Sequence, residues 1–324
     1  MNWIKLILLF FIPVTLYSQN FDSEYIERMD NTLNMKLSLD NDIESFEYKD
    51  EDTKYTVQPN TNIRTTLHAN YRFISFKLGF SPRIFSDHDE DNKGKTTVFK
   101  IQTDLYYRNW MQTFEYFRIE GYYAENIFET NGLEFIKLPH LKTKTFRSTT
   151  RYKFNKNYSL KALLTQTEIQ RRSAGSFISS LNYYDTDLTN RDGVQDMHTK
   201  GIMVNTGYFY TLVINRSWYS NFGISPGIGV EFNKVNTDTD EGFITDKETG
   251  LTGNINTRLG FGYNSSRFYT GLDFRLSAIG RSQKSIADFD TVRGIFNIFM
   301  GYRLDAPRLI KDSVDWLEER NPMK

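Results

Sequence analysis

Residues 218–232 alternate without a break between two kinds of side chain. Trp218, Ser220, Phe222, Ile224, Pro226, Ile228, Val230 and Phe232 make one set. Tyr219, Asn221, Gly223, Ser225, Gly227, Gly229 and Glu231 make the other. A period of two puts the sets on opposite faces of a β-strand. One face suits oil and the other suits water. The unit recurs through residues 199–302 as an alternating strand, a tight turn flanked by aromatics, and another alternating strand. Such a chain folds as a sheet that is dry on one side and wet on the other, the pattern of an antiparallel transmembrane β-barrel.

The start of the chain supports export. Lys5 precedes an apolar run over residues 6–16, and Ser18 and Gln19 follow it, so residues 1–19 read as a signal peptide. The run is well short of the ~20 residues of a spanning helix. The chain has no Cys, which excludes a lipoprotein-type signal and any disulfide. Lys+Arg 40 balances Asp+Glu 40, so no net field draws nucleic acid. The mean hydropathy of -0.54 is normal for a barrel, in which alternate residues are polar.

Strand signals can be followed through most of the chain. Met35, Leu37 and Leu39 alternate with Lys36, Ser38 and Asp40, and the charged stretch 49–54 reads as loop. Further strands are expected near 63–71, 74–80, 99–107, 110–122, 143–154, 158–170, 201–213, 218–232, 251–263, 267–279 and 291–302. Short turns fall at Arg72, Arg108-Asn109, 155–157, 215–217 and 264–266, each beside an aromatic. The other connections, 81–95, 125–142, 171–200, 233–250 and 280–290, are long and polar. Short periplasmic turns, long outward loops and aromatic belts fit a barrel of about twelve strands, within roughly ten to fourteen. Residues 176–184 are strand-like yet fall where parity requires a loop, either extending the preceding strand or folding inward. After Tyr302, Asp305-Ala306-Pro307 signals a helix start, and Ile310, Val314 and Leu317 mark an apolar helical face. The expected organisation is a signal peptide over 1–19, a lead-in over 20–33, the barrel over 34–303 and a periplasmic helix and tail over 304–324.

At Gln166-Thr167-Glu168-Ile169-Gln170-Arg171-Arg172-Ser173-Ala174-Gly175-Ser176-Phe177 the chain resembles the family known as domain of unknown function 4421, found in envelope proteins of Bacteroidetes-type bacteria. Pro59-Asn60, Glu120-Gly121-Tyr122-Tyr123, Gly207-Tyr208-Phe209-Tyr210 and Ser225-Pro226-Gly227-Ile228-Gly229 agree with it. The resemblance implies an outer-membrane-type barrel over most of the mature chain. It implies no activity and carries no functional residues.

Lys77, Lys100, Asp104, Glu168, Glu231, Arg258, Asp273 and Arg275, with Asn221, Asn254 and Asn256, are expected to face inward. They can pair across a closed interior or line a narrow pore, since about twelve strands lie between packed eight-stranded barrels and open porins. The densest polar cluster is Gln166, Glu168, Gln170, Arg171 and Arg172, expected near the outer rim. Its two Arg could bind a phosphate or carboxylate, or anchor a loop through Arg–Glu pairs, with Gly175 permitting a turn. Catalysis has little support. Of His68, His88, His140 and His198, only His68 has an inward strand position. No metal-ligand spacing occurs, beyond a weak calcium-like group at Asp238, Asp240 and Glu241. No cofactor is expected.

The sequence therefore predicts a non-enzymatic outer-membrane barrel, acting as a structural barrel, a narrow pore or a binding platform. Its expected partners are outer-membrane lipid, the export and barrel-assembly machinery and an unidentified small polar solute, with no nucleic acid. The rival readings are a barrel-embedded hydrolase or acyltransferase and a secreted soluble β-sandwich.

Overall fold

The computed structural model describes residues 23–41, 46–50, 53–61, 63–82, 90–126, 135–191, 195–239, 242–282 and 291–319. The signal peptide lies outside them, as do His88, Asp240 and Glu241. Sixteen strands run through the described residues. β1 (Ile26–Arg28) lies apart from the wall. The wall follows as β2 (Thr32–Asp40), then, after a hairpin of β3 (Phe46–Asp50) and β4 (Thr53–Gln58), β5 (Arg64–Tyr71), β6 (Ile74–Phe80), β7 (Thr97–Tyr107), β8 (Trp110–Asn126) and β9 (Phe135–Lys153). A short strand β10 (Glu168–Gln170) precedes β11 (Ala174–Asn190), β12 (Gln195–Ile214), β13 (Trp218–Thr239), β14 (Gly242–Asn264), β15 (Phe268–Arg281) and β16 (Thr291–Asp305). The helices are α1 (Glu90–Lys93), α2 (Leu160–Leu164) and α3 (Arg308–Glu319).

Twelve of these strands close a ring. The order is β8-β7-β6-β5-β2-β16-β15-β14-β13-β12-β11-β9, and the pairing of β8 with β9 shuts it. Every neighbouring pair is antiparallel. Closure leaves no edge in the wall, which a sheet in lipid requires. The alternation read from the sequence sorts the faces. Trp218, Phe222, Ile224, Ile228 and Phe232 are exposed on the outside, while Asn221, Ser225 and Glu231 are buried within. Leu272 and Phe274 likewise point out and Asp273 in.

Two expectations need correction. Residues 158–170 are not a wall strand: they hold α2 and β10 inside the barrel, and 174–190 takes their place in the wall. One strand replaces another, so the count of twelve and the parity both survive. Ser159 followed by Leu160-Lys161-Ala162-Leu163-Leu164 is an N-cap before helix formers, a local signal that competes with alternation. Ser159 Oγ accepts from Ala162 N at 2.9 Å.

The other correction concerns the loops. Among the described residues, the long stretches read as loops at 125–142, 171–200 and 233–250 are largely strand. β13 and β14 have 22 and 23 residues, against the ~9–11 needed to cross a bilayer. Above the lipid both faces meet water, so alternation disappears although the backbone ladder continues. Lys49, Asp50, Thr53 and Lys54, expected in a loop, are likewise paired in the β3–β4 hairpin, whose β4 pairs with the upper end of β8.

A bulge between Glu120 and Tyr122 reverses the facing of β8. Gly121 has φ +88, and a Cβ there would lie 1.9 Å from the Lys95 carbonyl oxygen, so glycine is required. Ile119 below the bulge and Tyr122 above it can therefore both turn inward. They pack with Val98, Phe117 and Leu141 of the wall and with Phe46 and Val57 of the β3–β4 hairpin. This apolar cap fills one side of the lumen at the long-loop rim.

α3 lies at the opposite, short-turn rim, where the sequence expected a helix. Val314 packs with Tyr71 and Ala306, and Ile310 and Leu33 join them. Arg72, in the β5–β6 turn with φ +48, pairs with Asp315 at 2.5 Å. The side chain of Leu317 lies outside the described residues.

A plugged lumen as the candidate functional site

Residues 154–173 leave β9 at the short-turn rim, fold into the lumen and return to begin β11. Their apolar side is Tyr158, Leu160 and Leu163, which pack against Tyr106, Met111 and Ile178 of the inner wall. Burial pushes the Tyr158 phenol up to about 12.

The polar side of the plug is bonded to the opposite wall. A helix of one turn leaves its last carbonyls without partners. Here wall cations supply them. Arg258 Nη2 donates to Leu163 O at 3.1 Å while holding Asp273 at 2.8 Å. Lys36 Nζ donates to Gln166 Oε1 at 2.8 Å and to Leu164 O at 3.5 Å. Arg303, fully buried over the Tyr269 ring, donates to Gln166 O, to Asn264 Oδ1 and to Ser265 O. Gln166 has φ +57, so the chain turns sharply where these donors meet. Asn264 Nδ2 donates to Glu168 O at 3.2 Å.

The exit of the plug is tied to the N-terminal segment. β1 pairs with β10, placing Ile26 opposite Gln170 and Arg28 opposite Glu168. Gln170 Oε1 accepts from Ser159 N at 2.9 Å, and its Nε2 lies near the carbonyls of Asn157, Arg172 and Tyr25. Glu168 accepts from Ser159 Oγ at 2.6 Å and meets Lys161 at 3.5 Å. Arg171 pairs with Glu27 at 2.5 Å, and Arg172 with Glu24 at 2.7 Å.

The five residues of the expected cluster lie along the return of the plug to the short-turn rim, not at the outer rim, and their side chains part: Gln166 meets Lys36, Glu168 and Gln170 meet Ser159, and Arg171 and Arg172 meet Glu27 and Glu24. The misplaced strand at 158–170 produced that error of one membrane thickness. Carboxylates of the N-terminal segment already engage both guanidinium groups. Gly175 makes no turn: it is an ordinary extended residue of β11.

The inner wall is built of pairs. Lys77–Asp104 at 2.7 Å, Lys100–Glu115 at 2.5 Å, Arg64–Asp40 at 2.7 Å, Arg258–Asp273 at 2.8 Å and Arg281–Glu231 at 2.6 Å join inward side chains. Asn254 accepts from Asn205 and Asn256 from Ser277, as an inward row requires. A cavity of about 10 Å³ separates Leu163 and Gln170 from Tyr219 and Asn221, room for about one water.

Lys36, Arg303 and Ser38 escaped the sequence reading as site residues. Ser38 Oγ lies 2.9 Å from His68 Nε2, both buried. His68 Nδ1 has no hydrogen-bond partner among the described residues. On the outer face above the lipid, Asp185, Asp187 and His198 place ligand atoms within 4.8 Å of one another. Asp187 stands directly opposite His198 across β11 and β12, a relation sequence spacing cannot reveal.

A closed twelve-stranded ring with an oily exterior, a paired interior and an internal plug defines an outer-membrane-type β-barrel. The chain belongs to the family described as Domain of unknown function (DUF4421), which it matches over residues 20–304. No curated protein matches it. Among solved structures it is similar to the beta domain of the Bordetella autotransporter BrkA, with 10% identity, 86% of this chain and 100% of that chain covered and a TM-score of 0.42. It is also similar to OmpT, an outer membrane protein of Vibrio cholerae, with 9% identity, coverage of 84% and 96% and a TM-score of 0.39. The outer membrane protease OmpT from Escherichia coli gives 6% identity, coverage of 88% and 97% and a TM-score of 0.38.

Proposed function

We propose that this protein is a closed, non-conducting and non-enzymatic outer-membrane barrel that carries a rigid binding platform on its long-loop side. The observation that carries the reading is the plug. Its apolar residues fill the inner wall near Tyr106 and Met111, and Arg258, Lys36 and Arg303 bind successive backbone or amide oxygens of residues 163–166. A freely conducting pore would need a continuous wet path past that segment. The tall strands β11 to β14 support the platform, since they continue as paired sheet well beyond the length a bilayer requires. Proteoliposome swelling in isotonic arabinose tests closure. The expected result is no swelling above empty vesicles, and swelling at porin-like rates would overturn the reading.

The Ser38–His68 contact favours a second reading, a lumenal serine hydrolase. A hydrolytic Ser needs a base that is itself oriented by a third group. His68 Nδ1 meets no carboxylate among the described residues, and the plug and cap flank the pair. A fluorophosphonate probe should leave the folded protein unlabelled. Labelling lost in Ser38→Ala would move the proposal to the enzyme.

A further inference from the structure

On the outside of the barrel, where β9 ends and β11 begins, Phe154, Asn155, Lys156, Gly175, Phe177 and Tyr208 line an open groove of about 560 Å³. It lies at the short-turn rim, opposite in facing to the lumen. Phe154 and Phe177 are more than half exposed there. Two features shape the groove. The ladder of β9 with β11 ends at Lys153–Ile178, and Phe154 N still donates to Phe177 O at 3.1 Å. Ser176 Oγ also accepts from Phe154 N at 3.1 Å and Asn155 N at 2.9 Å, and Asn155 Nδ2 donates to Gly175 O at 2.7 Å, which fixes the path of the chain along the groove floor. Gly175 has no side chain to fill the floor, and a Cβ there would come within 2.2 Å of the Tyr208 hydroxyl.

The walls are rigid aromatics. Phe177 meets Tyr208 edge-on at 5.2 Å, and Phe154 meets Tyr152 edge-on at 5.0 Å, with Trp110 4.7 Å beyond. At the mouth stands Lys156, exposed and without an ion pair among the described residues. Apolar walls opening beside one cation, at the aromatic belt of a barrel, match an acyl chain followed by a phosphodiester. We propose that this groove binds one glycerophospholipid of the leaflet at the short-turn rim, with an acyl chain between Phe154 and Phe177 and the phosphate on Lys156. Lipid is the occupant because the groove opens on the same exposed apolar surface as Trp110 and Phe177, which the bilayer already covers.

Native mass spectrometry of the full folded protein, released from detergent with phosphatidylglycerol added, provides the test. One tightly retained lipid adduct is expected. Lys156→Gln should reduce its occupancy by about threefold to fivefold, as loss of one exposed charge contact implies. Phe177→Ala should also reduce it, with heat-modifiable gel migration showing both variants folded. Equal retention of phosphatidylglycerol by both folded variants would overturn the proposal. So would equal retention of diacylglycerol, which lacks the phosphate, or binding of inorganic phosphate alone. A lipid-free dimer dissociated by Phe177→Ala would assign the groove to a second copy of the chain instead.

Discussion

At the short-turn end of the lumen, Arg303, Arg258 and Lys36 hold the plug through named oxygen atoms. At the long-loop end, Phe117, Ile119 and Tyr122 meet Phe46 and Val57 through apolar contact. Both regions occupy the lumen of the same barrel, and they differ in what they demand. A buried donor must meet its acceptor in direction and distance, and a lost partner leaves an uncompensated polar group. An apolar cluster asks mainly for volume and tolerates small changes in shape. The plug should therefore be the brittle closure and the cap the forgiving one.

The largest effect is expected from Arg303→Ala. It strips donors from Gln166 O, Asn264 Oδ1 and Ser265 O and leaves a cavity against Tyr269. Urea unfolding in lipid vesicles should show a loss on the order of 3–5 kcal/mol. A change below 1 kcal/mol would mean that the plug is not latched by this residue.

A wall substitution gives the scale for both ends. Phe274 faces lipid midway along β15, and Phe274→Arg should cost about 2–4 kcal/mol in the same unfolding assay. A neutral result there would reverse the assignment of faces on β15.

In the cap, Ile119→Val should cost only about 0.5–1.5 kcal/mol despite complete burial of Ile119. A loss as large as that of Arg303→Ala would erase the contrast between the two closures. The smallest effect belongs to the plug's own margin. Arg172 and Glu24 form a largely exposed pair, so Arg172→Ala should change stability by no more than ~1 kcal/mol and less in high salt. A larger loss would extend the latch out to the N-terminal segment.

The wall was legible in the sequence because lipid imposes a period of two. Phe222 and Leu272 had to face out, and Asn221 and Asp273 in. Where that pressure ends, the reading ended too. Thr245 and Asn236 bond across neighbouring strands above the lipid, yet their stretches looked like loops. The plug defeated the reading for another reason. Tyr158, Leu160 and Leu164 are apolar because they face a lumen packed with protein, and their even spacing also serves a strand in lipid. The cluster Gln166 to Arg172 could be found by composition, but not its partners Lys36 and Arg303, which lie more than a hundred residues away. Ring closure sets those contacts, and no local pattern records it.

Single-channel recording in planar bilayers tests closure by the plug most directly. The intact protein should insert without producing current steps at moderate voltage. A variant with residues 156–171 replaced by a short Gly-Ser linker, verified as folded by heat-modifiable migration, should produce steady ohmic steps. Stable channels from the intact protein, with a conductance that the plug-replaced variant does not exceed, would contradict the account.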